Sequence, residues 1–369
     1  MTLDVGVAGR RLIAQRLAGN TLPAAADVVR HFVAVQSQDY PGGAWALGQR
    51  LDGWTEPDIG RVFDAGELIR THVLRPTWHF VTPEDLRWLL ALTGPRLKRA
   101  DRARRRALQI DDGVQLAGTL AIERAIAADG PRTRSELRVA LASTGIETDP
   151  GRFTHLIMHA ELDAVVCSGP RRAGAQTYAL VAERVPPAPE RTREEALAEL
   201  ATRYVAGHGP AQDIDFAWWA GLSLGDARRG LAAASPTLDR DVVDGRTFWF
   251  APVAAGVELA RAGAGGTLAP TMHLLPNYDE LLVAFRDRRD GLHPDLPEGA
   301  RDSAAILNHV IVRDGRVVGR WYRPTAGSGP VVRLEPRIAL DADDRRRLRS
   351  AVDRYAAFVG RELEVTWLD

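Results

Sequence analysis

A pattern of helices and paired strands that occurs three times constrains this chain most. Each occurrence has a helix, a short turn and a second helix, followed by apolar strands around a basic or glycine-containing turn. This order is typical of the winged-helix motif, in which a β-hairpin follows a helix-turn-helix. The three stretches lie at about residues 8–85, 112–186 and 192–252. From about residue 270 the apolar residues alternate with period two, which favours strands.

The predicted fold class is therefore α+β, with three tandem winged-helix units followed by a small C-terminal β-barrel-like domain. The expected boundaries of the three units and of the β-rich domain are 1–111, 112–190, 191–266 and 267–369. The first unit includes a basic helix and the second a basic hairpin. A glycine-rich tract at 262–266 is interpreted as a flexible join. In the last domain Asp314-Gly315 predicts a hairpin, and a helix is expected at Asp341–Gly360.

The charges balance overall but not locally. With 48 basic and 48 acidic residues the formal net charge is zero, which counts against a purely electrostatic nucleic-acid binder. The local distribution of charge matters more than the sum. The segment 96–106 has seven basic residues and only Asp101 to offset them, and the basic ones are Arg96, Lys98, Arg99, Arg102, Arg104, Arg105 and Arg106. A solvated helix face and a surface that contacts phosphates are both open interpretations of this segment.

The chain is expected to be cytoplasmic and to need neither membrane nor metal. It has no run of about 18 apolar residues and no apolar signal segment at its start. Cys167 is the only cysteine, so an internal disulfide and a cysteine-based zinc site are excluded. His155 and His159 have the i, i+4 spacing of a shared metal site, but no third ligand is evident, and helix packing is favoured. No phosphate-binding or dinucleotide-binding loop is found, so no cofactor is expected.

Two segments contain polar residues that suggest a site. In Val35–Leu47 (VQSQDYPGGAWAL), Gln36 and Gln38 flank one serine at the predicted end of an apolar helix, Ala24–Val35. A turn at Pro41-Gly42-Gly43 is expected to follow, and such a turn can present polar side chains to a cavity. The strand Arg75–His79 (RPTWH) brings an arginine, a tryptophan and a histidine together. From residue types alone, helix capping and ordinary strand packing remain open for these segments.

Four sequence segments resemble the winged-helix DNA glycosylases typified by AlkZ and YcaQ, and the similarity runs nearly end to end. They are VQSQD (35–39), LRPTWHFVTPEDL (74–86), CSGP (167–170) and LLPNYDELLVAFRDR (274–288). The resemblance implies an active-site signature of glutamine, a variable residue, and then glutamine or aspartate. Here it reads Gln36-Ser37-Gln38, the glutamine form of the AlkZ-like branch. Ser37 departs from the apolar residue that is usual in the middle.

The resemblance implies a monofunctional DNA glycosylase that hydrolyses the N-glycosidic bond of N7-alkylated purines in double-stranded DNA. Such a purine is already cationic, so two neutral glutamines, Gln36 and Gln38, need only position a water molecule. Cutting the DNA backbone as well would need an amine, and the only lysine, Lys98, lies in the basic segment. We expect a monomer. Bulky or crosslinking adducts, removed for antibiotic self-resistance, are one interpretation of its substrate.

Seven further residues are expected to contact DNA or the lesion: Arg75, Trp78, His79, Arg171, Arg172, Asn277 and Asp279. The turn at 171–172 is a candidate to probe a narrow groove, although an ordinary surface hairpin fits the same sequence. The alternative function is a non-catalytic winged-helix transcriptional regulator, which would bind one operator and release no base. A third interpretation is a drug-binding protein that binds a genotoxin free of DNA.

Overall fold

The computed structural model of the chain describes residues 6–252, 268–324 and 329–368 and has a mixed α+β fold. The first 111 residues form α1 (Gly6–Ala14), α2 (Ala25–Phe32), β1 (Ala34–Gln36), α3 (Tyr40–Gly48), α4 (Glu56–Ala65), β2 (Ile69–Val73), β3 (Arg75–Val81) and α5 (Pro83–Ala107). The three strands make an antiparallel sheet in the order β1-β3-β2. The predicted pair of strands before α5 is confirmed.

The predicted helix over Ala24–Val35 is wrong at its end. α2 stops at Phe32, because Val33 has a φ of 70°, a left-handed conformation that a helix cannot continue through. The chain then enters β1, where Gln36 pairs with His79 of β3. Gln36 therefore ends a strand and not a helix, and Gln38 follows that strand.

The predicted turn at Pro41-Gly42-Gly43 is also wrong, because these residues lie in the first turns of α3. Glycine costs about 1 kcal/mol in a helix interior, so another constraint must favour it there. A Cβ atom on Gly43 would lie 2.9 Å from the Cβ of Ser37 and 3.0 Å from the ring of Phe80. On Gly42 it would lie 2.5 Å from Oδ1 of Asn277. The glycines thus allow α3 to approach the end of β1 closely.

The middle of the chain follows the predicted order. Its elements are α6 (Asp112–Asp129), β4 (Arg132–Thr133), α7 (Arg134–Ala142), α8 (Pro150–Leu162), β5 (Val166–Ser168), β6 (Thr177–Leu180), α9 (Val181–Arg184), α10 (Arg193–His208), α11 (Asp213–Ala220), α12 (Leu224–Ala234), β7 (Asp239–Val243) and β8 (Arg246–Phe250). β5 and β6 pair antiparallel, with β4 on the other side of β6, which confirms the basic hairpin. β7 and β8 make a second hairpin. The glycine-rich tract at 262–266 lies outside the described residues.

The last part contains β9 (Met272–Leu275), α13 (Glu280–Val283), α14 (Ser303–Ile306), β10 (Val310–Arg313), β11 (Arg316–Tyr322), β12 (Val331–Pro336), α15 (Ala342–Val359) and β13 (Glu364–Trp367). The period-two interpretation fails after Leu275, where Asp279 caps the short helix α13. The Asp314-Gly315 hairpin is confirmed, with φ of 49° and 81° at the two turn residues. One sheet has the order β13-β12-β11-β10-β9, and among the described residues its two edge strands do not pair with each other.

Two of the apolar clusters contain residues from widely separated parts of the chain. One cluster uses only residues 110–178. The residues before it divide between two other clusters: Phe32 and Trp45 pack with Trp321, whereas Leu74 packs with Trp219. The end of β1 therefore lies where residues from the start, the middle and the end of the chain pack together. No helix in the described ranges is long and apolar enough to span a bilayer.

Candidate active site

Gln36 is the last residue of β1 and is held at both ends. Its backbone N–H donates to Oε1 of Glu280 at 2.8 Å, and its side-chain Oε1 accepts from Nη2 of Arg75 at 2.7 Å. A guanidinium group has only donors, so the amide oxygen must face Arg75 and the amide nitrogen must face away from it. Gln36 is only 6% exposed, and it lines a cleft of about 810 Å³.

Gln38 is exposed, and its amide is also oriented by a fixed donor. Its Oε1 accepts from the backbone N–H of Trp78 at 3.2 Å. Between the two glutamines, Ser37 is fully buried and packs against Gly43. Successive side chains of an extended segment point to opposite sides. The middle position of the motif is therefore a packing position, where a small serine fits the close approach of α3.

Arg70 of β2 fixes the backbone on either side of the motif. Its Nε donates to the carbonyl of Ser37 at 2.9 Å and its Nη2 to the carbonyl of Gln38 at 3.2 Å. The guanidinium carbon lies 4.4 Å from the centroid of the Trp78 ring. These two charge-assisted hydrogen bonds hold the backbone of the segment and leave it little freedom.

A buried carboxylate lies behind Gln36. Both oxygens of Glu280 are used: besides the N–H of Gln36, they accept from Nε2 of His208 at 3.1 Å and from Nε1 of Trp219 at 2.9 Å. Burial by itself raises the pKa of Glu280, but the hydrogen bond and charge of His208, with Arg75 nearby, outweigh it and lower the pKa. The group is therefore a fixed anion at neutral pH.

The residues before Glu280 support it. Asp279 is buried and makes two 2.9 Å hydrogen bonds with Arg50, which is equally buried. It also accepts from the backbone N–H of Leu281, and so caps α13 and fixes the position of the next residue. Asn277 lies against Gly42 of α3, and in the described part of the chain its buried Oδ1 has no partner.

The strand β3 provides two groups at the glutamines and one beneath them. Arg75 and Trp78 contact Gln36 and Gln38 as described. His79 is fully buried, and its Nδ1–H donates to the carbonyl of Thr77 at 2.9 Å. Burial, and then the charge of Arg75, lower the pKa of His79 to about 3, so its ring is neutral. His79 therefore does not reach the cleft surface.

Residues 29–358 match the family described as DNA glycosylase AlkZ-like. The chain belongs to this AlkZ-like family. It is similar to the interstrand DNA cross-link repair glycosylase of Streptomyces sahachiroi, with 26% identity over 382 residues, 97% of this chain and 96% of that protein. Its fold is similar to the solved structure of the S. sahachiroi DNA glycosylase AlkZ, with a TM-score of 0.78, 22% identity and 99% of each chain covered. Membership of a glycosylase family does not favour the regulator interpretation.

In this AlkZ-like chain the arginines of the β5–β6 turn are both paired with carboxylates. Arg171 donates from Nε and Nη2 to Asp64 at 3.1 and 2.9 Å. Arg172 is exposed and pairs with Glu136, which also caps α7. The hairpin is thus formed as predicted, with both of its cations neutralised by the chain itself.

The basic helix α5 of this AlkZ-like chain has several cations that make no ion pair within the described residues. Lys98 pairs with Asp163 and Arg105 with Asp112. The other basic residues of the segment are exposed and make no ion pair within the described ranges: Arg96, Arg99, Arg102, Arg104 and Arg106. Of these, Arg96 lines the cleft beside Gln36. A surface that contacts phosphates is consistent with this arrangement.

The two histidines with metal-like spacing have another partner. His155 and His159 both hydrogen-bond Oδ2 of Asp101, at 2.9 and 3.0 Å, and so join α8 to the basic helix. Burial is the main cause that lowers the pKa of His159. Within the described residues no group of three metal-binding side chains is found.

Sequence reasoning missed Arg70 and Glu280. A signal existed for Glu280, because it is an acidic residue inside the apolar run from Leu274 to Phe285. An ionised residue in a buried run needs a partner. Which partner it has could not be read from the sequence, because the contact with Gln36 spans 244 residues.

Proposed function

We propose that this protein is a monofunctional DNA glycosylase that hydrolyses the N-glycosidic bond of N7-alkylated, cationic purines in double-stranded DNA. The observation that carries the proposal is the fixed orientation of two neutral amides. Arg75 holds Oε1 of Gln36, which lines an open cleft, and the backbone of Trp78 holds Oε1 of Gln38, two residues further on. Membership of the AlkZ-like family supports it.

The two amides are suited to positioning water. Each amide oxygen has two lone pairs, and in Gln36 and Gln38 one of these is already used. A second lone pair and two N–H groups remain on each side chain for a water molecule. Such groups orient water but cannot deprotonate it, so the leaving group must be activated beforehand. A cationic purine meets this condition.

The proposed step is a hydrolysis. A bond forms between C1′ of the sugar and the oxygen of water, and the bond from C1′ to N9 of the purine breaks. The electron pair of that bond neutralises the charge of the purine, and the water loses its proton to solvent. The buried anion of Glu280 offsets the cation of Arg75, which otherwise disfavours a cationic lesion nearby.

We also propose the finer architecture: three winged-helix units at 1–111, 112–190 and 191–266 and a barrel-like domain at 267–369. Arg75 and Trp78 are proposed to contact the lesion or its DNA. Arg171 and Arg172 would contact DNA after exchanging their carboxylate partners for phosphates. His79 and Asp279 are buried, and Asn277 lies against α3, so we propose that these three support the glutamines.

The relative that repairs interstrand cross-links supports bulky or crosslinking adducts among the substrates. We further propose that the protein acts as a monomer, without metal or cofactor, on cytoplasmic DNA. An enzyme that gives resistance to one genotoxin should accept a narrow range of lesions. An enzyme of general alkylation repair should accept a wide range.

The proposal is tested with duplex DNA that contains N7-methylguanine or a bulky N7-guanine adduct, by measuring released base and abasic sites. We expect release by the wild type and a loss of about 100-fold or more in the Gln36→Ala/Gln38→Ala variant. Gln109→Asn is the control, because Gln109 is an exposed glutamine with a positive φ that asparagine tolerates. Full activity of the double variant on every accepted substrate would contradict the proposal.

A further inference from the structure

The cleft beside Gln36 has mostly apolar walls. Its apolar side chains include Leu74, Pro76, Ile214, Trp218, Leu222 and Leu224. Trp218 and Leu224 are 38% and 37% exposed, and few large hydrophobic side chains in the described residues are as open as these. An exposed apolar patch that continues into a concave site usually binds something.

The fold brings Trp218 to the glutamine site by a close approach of two backbones. α11 ends at Gly221, whose φ is 62°, and a Cβ atom there would lie 2.0 Å from the carbonyl oxygen of Leu74. Glycine is required by both the conformation and the space. The end of α11 can therefore touch the β2–β3 turn, directly beside Arg75.

Trp218 and Gln36 are joined through shared partners. The indole N–H of Trp218 donates to the carbonyl of Val283 at 3.3 Å, and Nη1 of Arg75 donates to the same oxygen at 3.4 Å. The guanidinium carbon of Arg75 lies 5.9 Å from the centroid of the Trp218 ring. One arginine thus holds the amide of Gln36 and fixes the position of the tryptophan.

The charges at the rim of the cleft complement its apolar walls. Arg96 and Arg286 both line the cleft, are exposed, and have no ion pair in the part of the chain that the structure describes. Free cations at the rim suit the phosphates of a DNA strand, whereas the apolar walls suit a group that is not nucleotide.

We propose that this cleft binds the flat, apolar, aromatic part of a bulky adduct on the purine whose glycosidic bond lies at Gln36. The inference rests on the proposed function and adds the subsite that selects the lesion. The volume of about 810 Å³ is in the range of ligand sites, roughly 300–1,000 Å³. An extruded base would need hydrogen-bond partners along its pairing edge, and these walls offer few. An aromatic substituent needs none.

The test compares two lesions in one DNA sequence: N7-methylguanine, and N7-guanine carrying a polycyclic aromatic substituent. We expect Trp218→Ala to lower kcat/KM on the aromatic lesion by at least about tenfold. On N7-methylguanine the change should stay within about twofold, because a methyl group offers no flat surface for Trp218 to stack on. Leu224→Ser, which also changes the lining of the cleft, should act in the same direction, and Trp218→Phe should retain most of the activity on the aromatic lesion.

Leu116→Ala is the matched control, because Leu116 is an exposed hydrophobic residue, 62% open, outside the cleft. It should leave both lesions unaffected. The subsite would be overturned if Trp218→Ala and Leu224→Ser lowered kcat/KM equally on the two lesions. It would also be overturned if neither variant lowered kcat/KM on either lesion.

Binding separates this proposal from the proposed function. In the Gln36→Ala/Gln38→Ala background, fluorescence anisotropy should still show tighter binding of the aromatic-adduct duplex than of the undamaged duplex. Adding Trp218→Ala should remove that preference. If the double glutamine variant still releases base, the proposed function fails. The subsite is still tested in that case, because the preference for the aromatic-adduct duplex should be lost when Trp218 is replaced. An undiminished preference in the Trp218→Ala background overturns the subsite alone.

Discussion

The end of β1 and the turn between β5 and β6 are both rich in polar groups, but the partners of those groups differ. At β1, Gln36 is bound by Glu280 and Arg75 in a desolvated network. At the turn, Arg171 and Arg172 each pair with a carboxylate that remains in contact with solvent. Buried partners fix geometry because water does not replace them, whereas salt and phosphate compete for exposed pairs. The first region is therefore suited to positioning, and the second to exchanging partners.

The largest effect is expected from removing the buried anion. Glu280→Ala leaves three donors without an acceptor, and Arg75 without a nearby anion. We expect the free energy of unfolding to fall by about 3–5 kcal/mol, measured by urea denaturation. Glu280→Gln should destabilise less and should lower kcat for base release more than it changes KM, because the backbone of Gln36 shifts.

Glu298→Ala is the control for that experiment, since Glu298 is exposed and has no ion pair in the described ranges. Its effect should stay within about 0.5 kcal/mol. If Glu280→Ala behaves like Glu298→Ala, the buried network does not hold the site.

A smaller effect, dependent on pH, is expected from His79. Its pKa is about 3 in the folded protein and about 6.5 when unfolded, so between these values only the unfolded chain takes up the proton. The stability from the neutral ring is complete above pH 6.5 and is lost as the pH falls toward 3. His79 alone should contribute a slope of about 1.4 kcal/mol per pH unit in this window.

His79→Asn keeps a donor toward the carbonyl of Thr77 and removes the titrating ring. Urea unfolding between pH 6 and 4 should show a flatter pH dependence than the wild type. Arg172→Ala, in the exposed region, should keep the wild-type slope. An unchanged slope in His79→Asn would mean that this ring does not stay neutral in the folded protein.

The smallest effect on stability is expected at the turn. Arg172→Ala should change the free energy of unfolding by less than about 0.5 kcal/mol, because the pair with Glu136 is exposed. If the turn contacts phosphates, the same variant should reduce the salt dependence of DNA binding by about one unit of slope. Glu136→Gln frees Arg172 and should tighten binding, measured by fluorescence anisotropy at several salt concentrations. If the salt dependence and the affinity do not change, or change in the opposite direction, the turn does not contact phosphates and is only a structural hairpin.

Local chemistry made much of the fold predictable. Asp314-Gly315 joins two strands as predicted, and local signals also mark two helix starts: the capping box at Thr133 for α7 and Pro150 for α8. In each case the signal and the structure that it specifies lie within a few residues. The glutamine motif was found because the residues beside it resemble those of a known family.

The remaining features depend on contacts between distant parts of the chain. Gly42 and Gly43 looked like a turn, but they serve the approach of α3 to Ser37 and Asn277. The sequence predicts a helix as far as Val35, because Val33 gives no sign of its left-handed conformation. Glu280 could be recognised as unusual, but its partners come from three different elements.

The way the apolar clusters share residues has a consequence for synthesis on the ribosome. Residues 110–178 complete a cluster of their own and can fold as soon as they have emerged. The residues around β1 emerge earlier but pack with side chains that are translated last, including Leu274 and Trp321. The nascent chain should therefore pass through a stage in which its middle is folded. At that stage β1 is not yet packed, because the residues that contact it have not been translated. The site at the end of β1 would then be complete only near the end of translation.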